Sequence, residues 1–271
     1  MVKIHSHFSS MNKHLLFFLL GLTPYLILSL FFHHYDSLIH PKVYYKLIFT
    51  AIIILVFVIR KSVFYRIESS LTLTFVSVLI FVAFVLNTGF IKLDNDNYTN
   101  GLIAKSISAL STGFFEETLF RFLLFIGLIK QFERHDYKKL IQIAIWTSLI
   151  FSLMHVFNLL KGLCSFQSSV NQIVVAFGLG FLLQSLFVRF RSLFLVSVLH
   201  GLLNFIGTFD TVIQNNETVE NFAPSNYWHF NWLSFLFVVI FTAFVCFLAY
   251  LIFPEKKKIE NGLSIAILEL D

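Results

Sequence analysis

The sequence predicts an all-α polytopic membrane protein, a bundle of about eight transmembrane helices with both termini cytoplasmic. Three observations carry that expectation. First, 57% of the 271 residues are hydrophobic and only 13% charged, and the mean hydropathy is +0.80; soluble domains run about 45–50% apolar and roughly 25% charged. Half the usual charge cannot cover a water-soluble globule, which excludes a cytosolic enzyme. Second, the apolar residues fall in long runs. Third, lysine and arginine alternate between successive loops. The two cysteines, Cys164 and Cys246, lie far apart in apolar runs and suggest neither a disulfide framework nor a Cys-based zinc site.

A bilayer core about 30 Å thick needs roughly 20 apolar residues of helix. Eight runs qualify: Leu15–Phe32, Val43–Ile59, Leu71–Phe90, Leu102–Ile129, Leu140–Leu160, Val170–Val188, Leu193–Phe209 and Trp232–Phe253. The first follows basic residues, yet it is too long for a signal-peptide core and no small-residue cleavage site follows it, so it reads as an uncleaved anchor. The second has a short apolar stretch, and Lys46 is expected to snorkel from it. With these spans, fourteen of the twenty Lys and Arg fall on the side of the termini and four on the other. That asymmetry places both ends in the cytoplasm. Residues 1–254 then form a single transmembrane domain with a motif-bearing core at 102–209, and 255–271 a short cytoplasmic tail. The loop histidines His5, His7, His14, His33, His34 and His40 are expected to be solvated. The basic balance reflects headgroups and topology, not nucleic acid.

Ionisable side chains inside the hydrocarbon are costly and mark function by default. Of the 15 acids only Glu116 and Glu117 fall in a span, and of the 10 histidines only His155 and His200. Arg121 joins the glutamates in the fourth run, while Asn158 and Asn204 follow the histidines by one helical turn. On an α-helical wheel Glu117 and Arg121 are about 40° apart and can pair, whereas Glu116 points about 100° from Glu117 and about 140° from Arg121. At about 1.5 Å per residue, Glu116, His155, His200 and Asn204 lie roughly 12–22 Å from the cytoplasmic ends of their spans and can meet in one layer. A carboxylate in low dielectric makes a competent general base. Two imidazoles and an amide can hold a water against it or stabilise an oxyanion. Alternatively, Glu and His could bind Zn²⁺ with water as the fourth ligand. Both arrangements hydrolyse an amide bond. Phe151, one turn before His155, is expected to pack under the imidazole or line a cavity.

These residues form three motifs: Glu116-Glu117-Thr118-Leu119-Phe120-Arg121 (EExxxR), Phe151-Ser152-Leu153-Met154-His155 (FxxxH) and His200-Gly201-Leu202-Leu203-Asn204 (HxxxN). Their order and separation resemble the CPBP family, also called Abi or CAAX-protease, of glutamate-dependent or metal-dependent intramembrane endopeptidases. The resemblance covers roughly Leu102–Phe209. It implies that Glu116 activates the catalytic water with His155, His200 and Asn204 assisting, and that Glu117, Arg121, Asn158 and Phe151 support them. The family has been described as metalloprotease; the cofactor is then either a zinc held by Glu116, His155 and His200 or none. Phe122 stands where many members have glycine, which touches local packing more than chemistry. The implied partners are a membrane peptide or protein substrate and the bilayer. The charge asymmetry and short polar N-terminus fit a bacterial cytoplasmic membrane.

Other intramembrane proteases lack their signatures here: there is no GxSxG, no HExxH and no aspartate in a span. Two non-proteolytic readings remain open. One is a non-catalytic immunity or partner-binding protein of the bacteriocin self-immunity type. The other is a proton-coupled transporter, disfavoured because no broken-helix pair or inverted repeat is visible.

Overall fold

The computed structural model describes residues 7–31, 41–58, 98–130, 137–162, 164–213 and 230–254. Among them the regular structure is helical: α1 (His7–Phe31), α2 (Pro41–Val58), α3 (Tyr98–Glu117), a π-helical segment (Thr118–Phe125), α4 (Ile126–Lys130), α5 (Tyr137–Leu153), α6 (Val156–Leu160), α7 (Phe166–Phe190), α8 (Leu193–Ile213) and α9 (Trp232–Ile252). These helices overlap every predicted run except Leu71–Phe90, which lies outside the described residues. Tyr137–Leu160, Phe166–Phe190 and Trp232–Ile252 are each long and apolar enough to cross a membrane, and shorter apolar stretches occur at Lys13–Ser29 and Leu193–Gly207. The chain is an integral membrane protein. Both cysteines are free thiols.

The chain divides into two compact units. The first contains α1 up to Thr23, the π segment from Leu119, α4 to α7, and α9. Within it α7 and α9 run parallel and are fastened at three levels. At their starts, the Asn231 N–H donates to Gln167 Oε1 (2.7 Å) and Gln167 Nε2 donates to the Asn231 carbonyl (3.1 Å). Midway, a Cβ on Gly178 would sit 2.9 Å from Thr242 Cγ2, so only glycine permits that approach. At their ends, Arg189 donates to the Ile252 carbonyl at 3.0 Å, satisfying an acceptor that a helix terminus leaves open. Asn231 also caps α9, its side chain accepting from the N–H groups of Leu233 and Ser234. The outer face of α9 presents Trp232, Leu233 and Phe237, all exposed, as a lipid-facing surface requires.

Several small polar residues in this unit are buried at little cost, because they bond to their own helix. Thr147 and Ser148 donate to the Ala144 carbonyl, and Ser185 to that of Phe181. Gln184 differs. It is fully buried, and neither amide atom has a hydrogen-bond partner among the described residues. His14 departs from the expectation of a solvated loop residue: it is buried, with its ring 5.8 Å from that of Phe122. The bulky Phe122 lies in tilted ring contact with a histidine that hydrophobicity alone would have left in water.

The second unit contains α1 from Pro24, α2, α3 with Thr118, and α8. Its centre is Phe115, fully buried and ringed by Tyr25 (4.8 Å), Tyr45 (5.9 Å) and Phe49 (5.7 Å). Three aromatic edges from two helices clamp the residue immediately before Glu116. Ser192 caps α8 by accepting from the Leu195 N–H at 3.2 Å.

Gln184→Met keeps the length of the side chain and removes an unsatisfied buried amide, a group that costs about 1–3 kcal/mol. The variant should unfold at a higher temperature in detergent than the parent; an unchanged or lower midpoint would mean that the amide is satisfied after all.

Candidate functional site

In the second unit α3 meets α8 through two glycines. A Cβ on Gly113 would lie 2.5 Å from both the Gly201 nitrogen and the Ser197 carbonyl oxygen, and one on Gly201 would lie 2.9 Å from Leu110 Cα. No side chain fits between the two backbones, so they touch directly. Glu117 stands one helical turn beyond Gly113, and His200 immediately precedes Gly201. The crossing therefore brings these two side chains together by construction.

His200 is bracketed by both glutamates. Its Nδ1 lies 2.8 Å from Glu117 Oε1, and its Nε2 lies 3.5 Å from Glu116 Oε2. The Glu117 side chain is fully buried, whereas that of Glu116 is 18% exposed. A carboxylate with no access to water requires a partner. With Glu117 ionised and accepting from Nδ1–H, the neutral ring carries its lone pair on Nε2, facing Glu116. One glutamate thus orients the imidazole, and the other shares its far side with solvent. Asn204 follows His200 by one turn of α8.

The backbone changes register just after this pair. Residues Thr118–Phe125 are π-helical, with i→i+5 hydrogen bonds in place of i→i+4. A local cause is visible at the junction: Thr118 Oγ1 donates to the Phe114 carbonyl at 2.7 Å, competing for the acceptor that the next α-turn would use. The 40° and 140° wheel angles expected for Arg121 assume continuous α-helix. The segment from Thr118 that carries Arg121 is π-helical instead.

The other predicted residues lie in the first unit. Arg121 is fully buried, with its guanidinium carbon 5.1 Å from the Phe151 ring centroid, a cation–π contact. Phe151 is packed edge-on against His155 (5.4 Å) and Phe120 (5.2 Å). Gly180 makes room for this cluster: a Cβ there would stand 3.0 Å from the Phe151 ring and 3.7 Å from Arg121 Nη2. His155 occupies a break between α5 and α6. There the His155 N–H donates to the Ser152 carbonyl and the Asn158 N–H to the His155 carbonyl, both three residues back. His155 Nδ1 is buried with no hydrogen-bond partner among the described residues. Asn158, expected to share the histidine's face, donates to Gln172 Oε1 at 3.0 Å and so ties α6 to α7.

A second polar residue, besides His14, was misplaced by sequence reasoning. Lys46 does not snorkel; only 7% of it is exposed. Its Nζ donates to Thr112 Oγ1 at 2.6 Å and stands 5.4 Å from the centroid of the Tyr25 ring. Thr112 precedes Glu116 by one helical turn. The missed signal was a lysine set just before a long apolar run, one helical turn beyond Lys42 on the same helix.

As a zinc site the donors fit poorly. Among the described residues no group of three His, Cys, Asp or Glu side chains is spaced to hold a metal ion, and both ring nitrogens of His200 face glutamates. No step is derived through a metal.

The family model described as type II CAAX prenyl endopeptidase Rce1-like matches residues 98–206. The matched segment contains all three motifs and agrees with the CPBP, or CAAX-protease, resemblance. Residues 98–206 are thus similar to CAAX-type endopeptidases. No curated protein and no solved structure matches the chain significantly.

The glycine crossing is testable by a matched pair. Gly113→Ala should lower stability by about 1–3 kcal/mol through overpacking and separate Glu117 from His200. Gly207→Ala on the same α8, where an added Cβ meets nothing within 4 Å, should be neutral or slightly stabilising. Thermal unfolding of the two purified variants reads the difference; equal midpoints would remove the crossing as a constraint.

Proposed function

We propose that the chain is an intramembrane endopeptidase that hydrolyses a peptide bond of a membrane-associated peptide or protein, with Glu116 as the general base. The observation that carries this reading is the Glu117–His200–Glu116 arrangement, in which one carboxylate is buried on the imidazole and the other is accessible. The match of residues 98–206 to a CAAX-type endopeptidase family supports it.

Glu116 takes a proton from a water molecule as the water oxygen adds to the scissile carbonyl carbon. The carbonyl π electrons move to oxygen, and in this reading the Asn204 amide donates to that oxyanion. His200 Nε2 accepts the proton from Glu116, and the resulting imidazolium is stabilised by Glu117. The imidazolium then returns the proton to the departing nitrogen as the carbon–nitrogen bond breaks. The products are a carboxylic acid and an amine, and Glu116 ends ionised as it began. His155 serves in this reading as a further group assisting the same centre, with Phe151 and Arg121 fixing its ring. The charge asymmetry of the loops supports a bacterial cytoplasmic membrane with both termini inside.

Glu116→Gln should reduce turnover of a labelled membrane peptide by about 10²–10⁴-fold, the usual contribution of a general base, without changing thermal stability. Glu117→Gln should also reduce turnover, because the His200 tautomer is no longer enforced. Cleavage at the wild-type rate by a well-folded Glu116→Gln protein would remove the protease reading and leave a partner-binding protein of immunity type.

A further inference from the structure

The segment that follows His155 is weakly held within the first unit. Helix α6 (Val156–Leu160) is five residues long and none of them is buried. A helix so short does not sustain itself, and one without a buried face gains little from packing. Both its ends are breaks. Before it, α5 stops at Leu153, and His155 stands at the N-cap of α6 with no side-chain cap. After it, Gly162 takes a left-handed conformation (φ 69°), and a Cβ there would meet nothing within 4 Å. The backbone can pivot at each of these points.

A side-chain hydrogen bond ties α6 to the body of the unit. Asn158 Nδ2 donates to Gln172 Oε1 at 3.0 Å, on the exposed surface. Gln172 belongs to α7, which is itself fastened to α9 at both ends. The bond therefore joins a loose element to a fixed one.

His155 supplies the opposing tendency. Its Nδ1 is buried with no hydrogen-bond partner among the described residues, a cost that contact with water would relieve. Its ring rests edge-on against Phe151 at 5.4 Å, and Phe151 is seated against the Arg121 guanidinium. An outward swing of α6 would hydrate Nδ1 and lift the ring from Phe151. Asn158 lies three residues beyond His155, on the side that moves, so its bond to Gln172 resists that swing.

We propose that α6 is a strap hinged at Met154–His155 and at Gly162, and that the Asn158–Gln172 bond is the latch that keeps the His155 ring on Phe151. Gln172 is then a positioning residue that acts through Asn158. The latch itself requires no assumption about the reaction. Its effect on turnover rests on the protease reading, in which His155 assists the centre: the strap sets the fraction of molecules whose histidine is in place.

The test follows hydrogen–deuterium exchange of residues 154–162 in the full-length protein in nanodiscs, with residues 176–190 of α7 as internal reference. Gln172→Leu removes the acceptor, whereas Gln172→Glu keeps it. Asn158→Asp also keeps a bond, because the Gln172 amide can turn and donate. The double variant Asn158→Asp/Gln172→Glu, at a pH where both carboxyls are ionised, has two acceptors and no donor. Exchange in 154–162 should quicken about threefold to tenfold in Gln172→Leu and in the double variant, the factor a neutral hydrogen bond is worth. It should stay near the parent rate in the two single acidic variants, and neither the reference stretch nor the thermal midpoint should move. The unsatisfied Nδ1 brings the latched and open forms close in free energy. Accordingly kcat for a labelled membrane peptide should fall about twofold to tenfold in Gln172→Leu with KM unchanged, and recover in Gln172→Glu. Parental exchange in Gln172→Leu would overturn the latch, as would equal exchange in the double variant and in Gln172→Glu. Faster exchange with an unchanged kcat would overturn the positioning role. Failure of the protease reading would appear elsewhere, as cleavage at the parent rate by Glu116→Gln, and would leave the exchange result standing.

Discussion

The contact between the backbones of α3 and α8 at Gly113 and Gly201 is the constraint on which the candidate site depends. In lipid there is no hydrophobic force between helices, so close packing and interhelical hydrogen bonds hold them together. Two glycines reduce the helix separation until no Cβ fits, and at that separation a glutamate and a histidine one step away can reach each other. The buried Glu117–His200 bond and the glycine contact stabilise one another. The bond satisfies charges that could not otherwise be buried, and the contact excludes the water that would weaken the bond. Phe115, clamped by three aromatic rings, fixes the rotation of α3 about its axis.

Two departures from α-helical geometry occur beside the candidate residues, and they are of opposite kind. The turn at His155 is tightened, with hydrogen bonds to the third residue back. The segment after Glu117 is loosened into a π-helix. Both lie in segments that ought to be ordinary membrane helices by composition. Each stores a little hydrogen-bond energy to aim side chains that a regular helix would aim elsewhere, and such departures concentrate at functional sites.

The sequence was most legible where burial is most costly. Glu116, Glu117, His155 and His200 stand out because an ionisable group in an apolar run must have a reason, and the structure sets Glu116, Glu117 and His200 against one another. It was least legible where geometry departs from the average. The expected Glu117–Arg121 angle assumed a uniform helix, and nothing in Thr-Leu-Phe-Arg announces a π turn. Lys46 was read as an interfacial residue because lysines near span ends usually are, and its burial follows from Tyr25 and Thr112, far away in sequence. His14 was assigned to water for the same reason. The predicted third span, Leu71–Phe90, lies outside the described residues, and the eight-span count with cytoplasmic ends stands as a sequence expectation.

The fastening of α7 to α9 has a consequence for biogenesis. The two helices are held in step with a separation of 64 residues at their starts and 63 at their ends, so α9, synthesised later, completes hydrogen bonds begun by α7. Until Trp232–Ile252 has left the ribosome, Gln167 lacks its partner backbone and Arg189 lacks the terminal carbonyl that holds it. The first unit is then open to lipid along the Gly178 face. A growing chain would hold the FxxxH histidine in an unfinished scaffold until nearly the whole sequence is made.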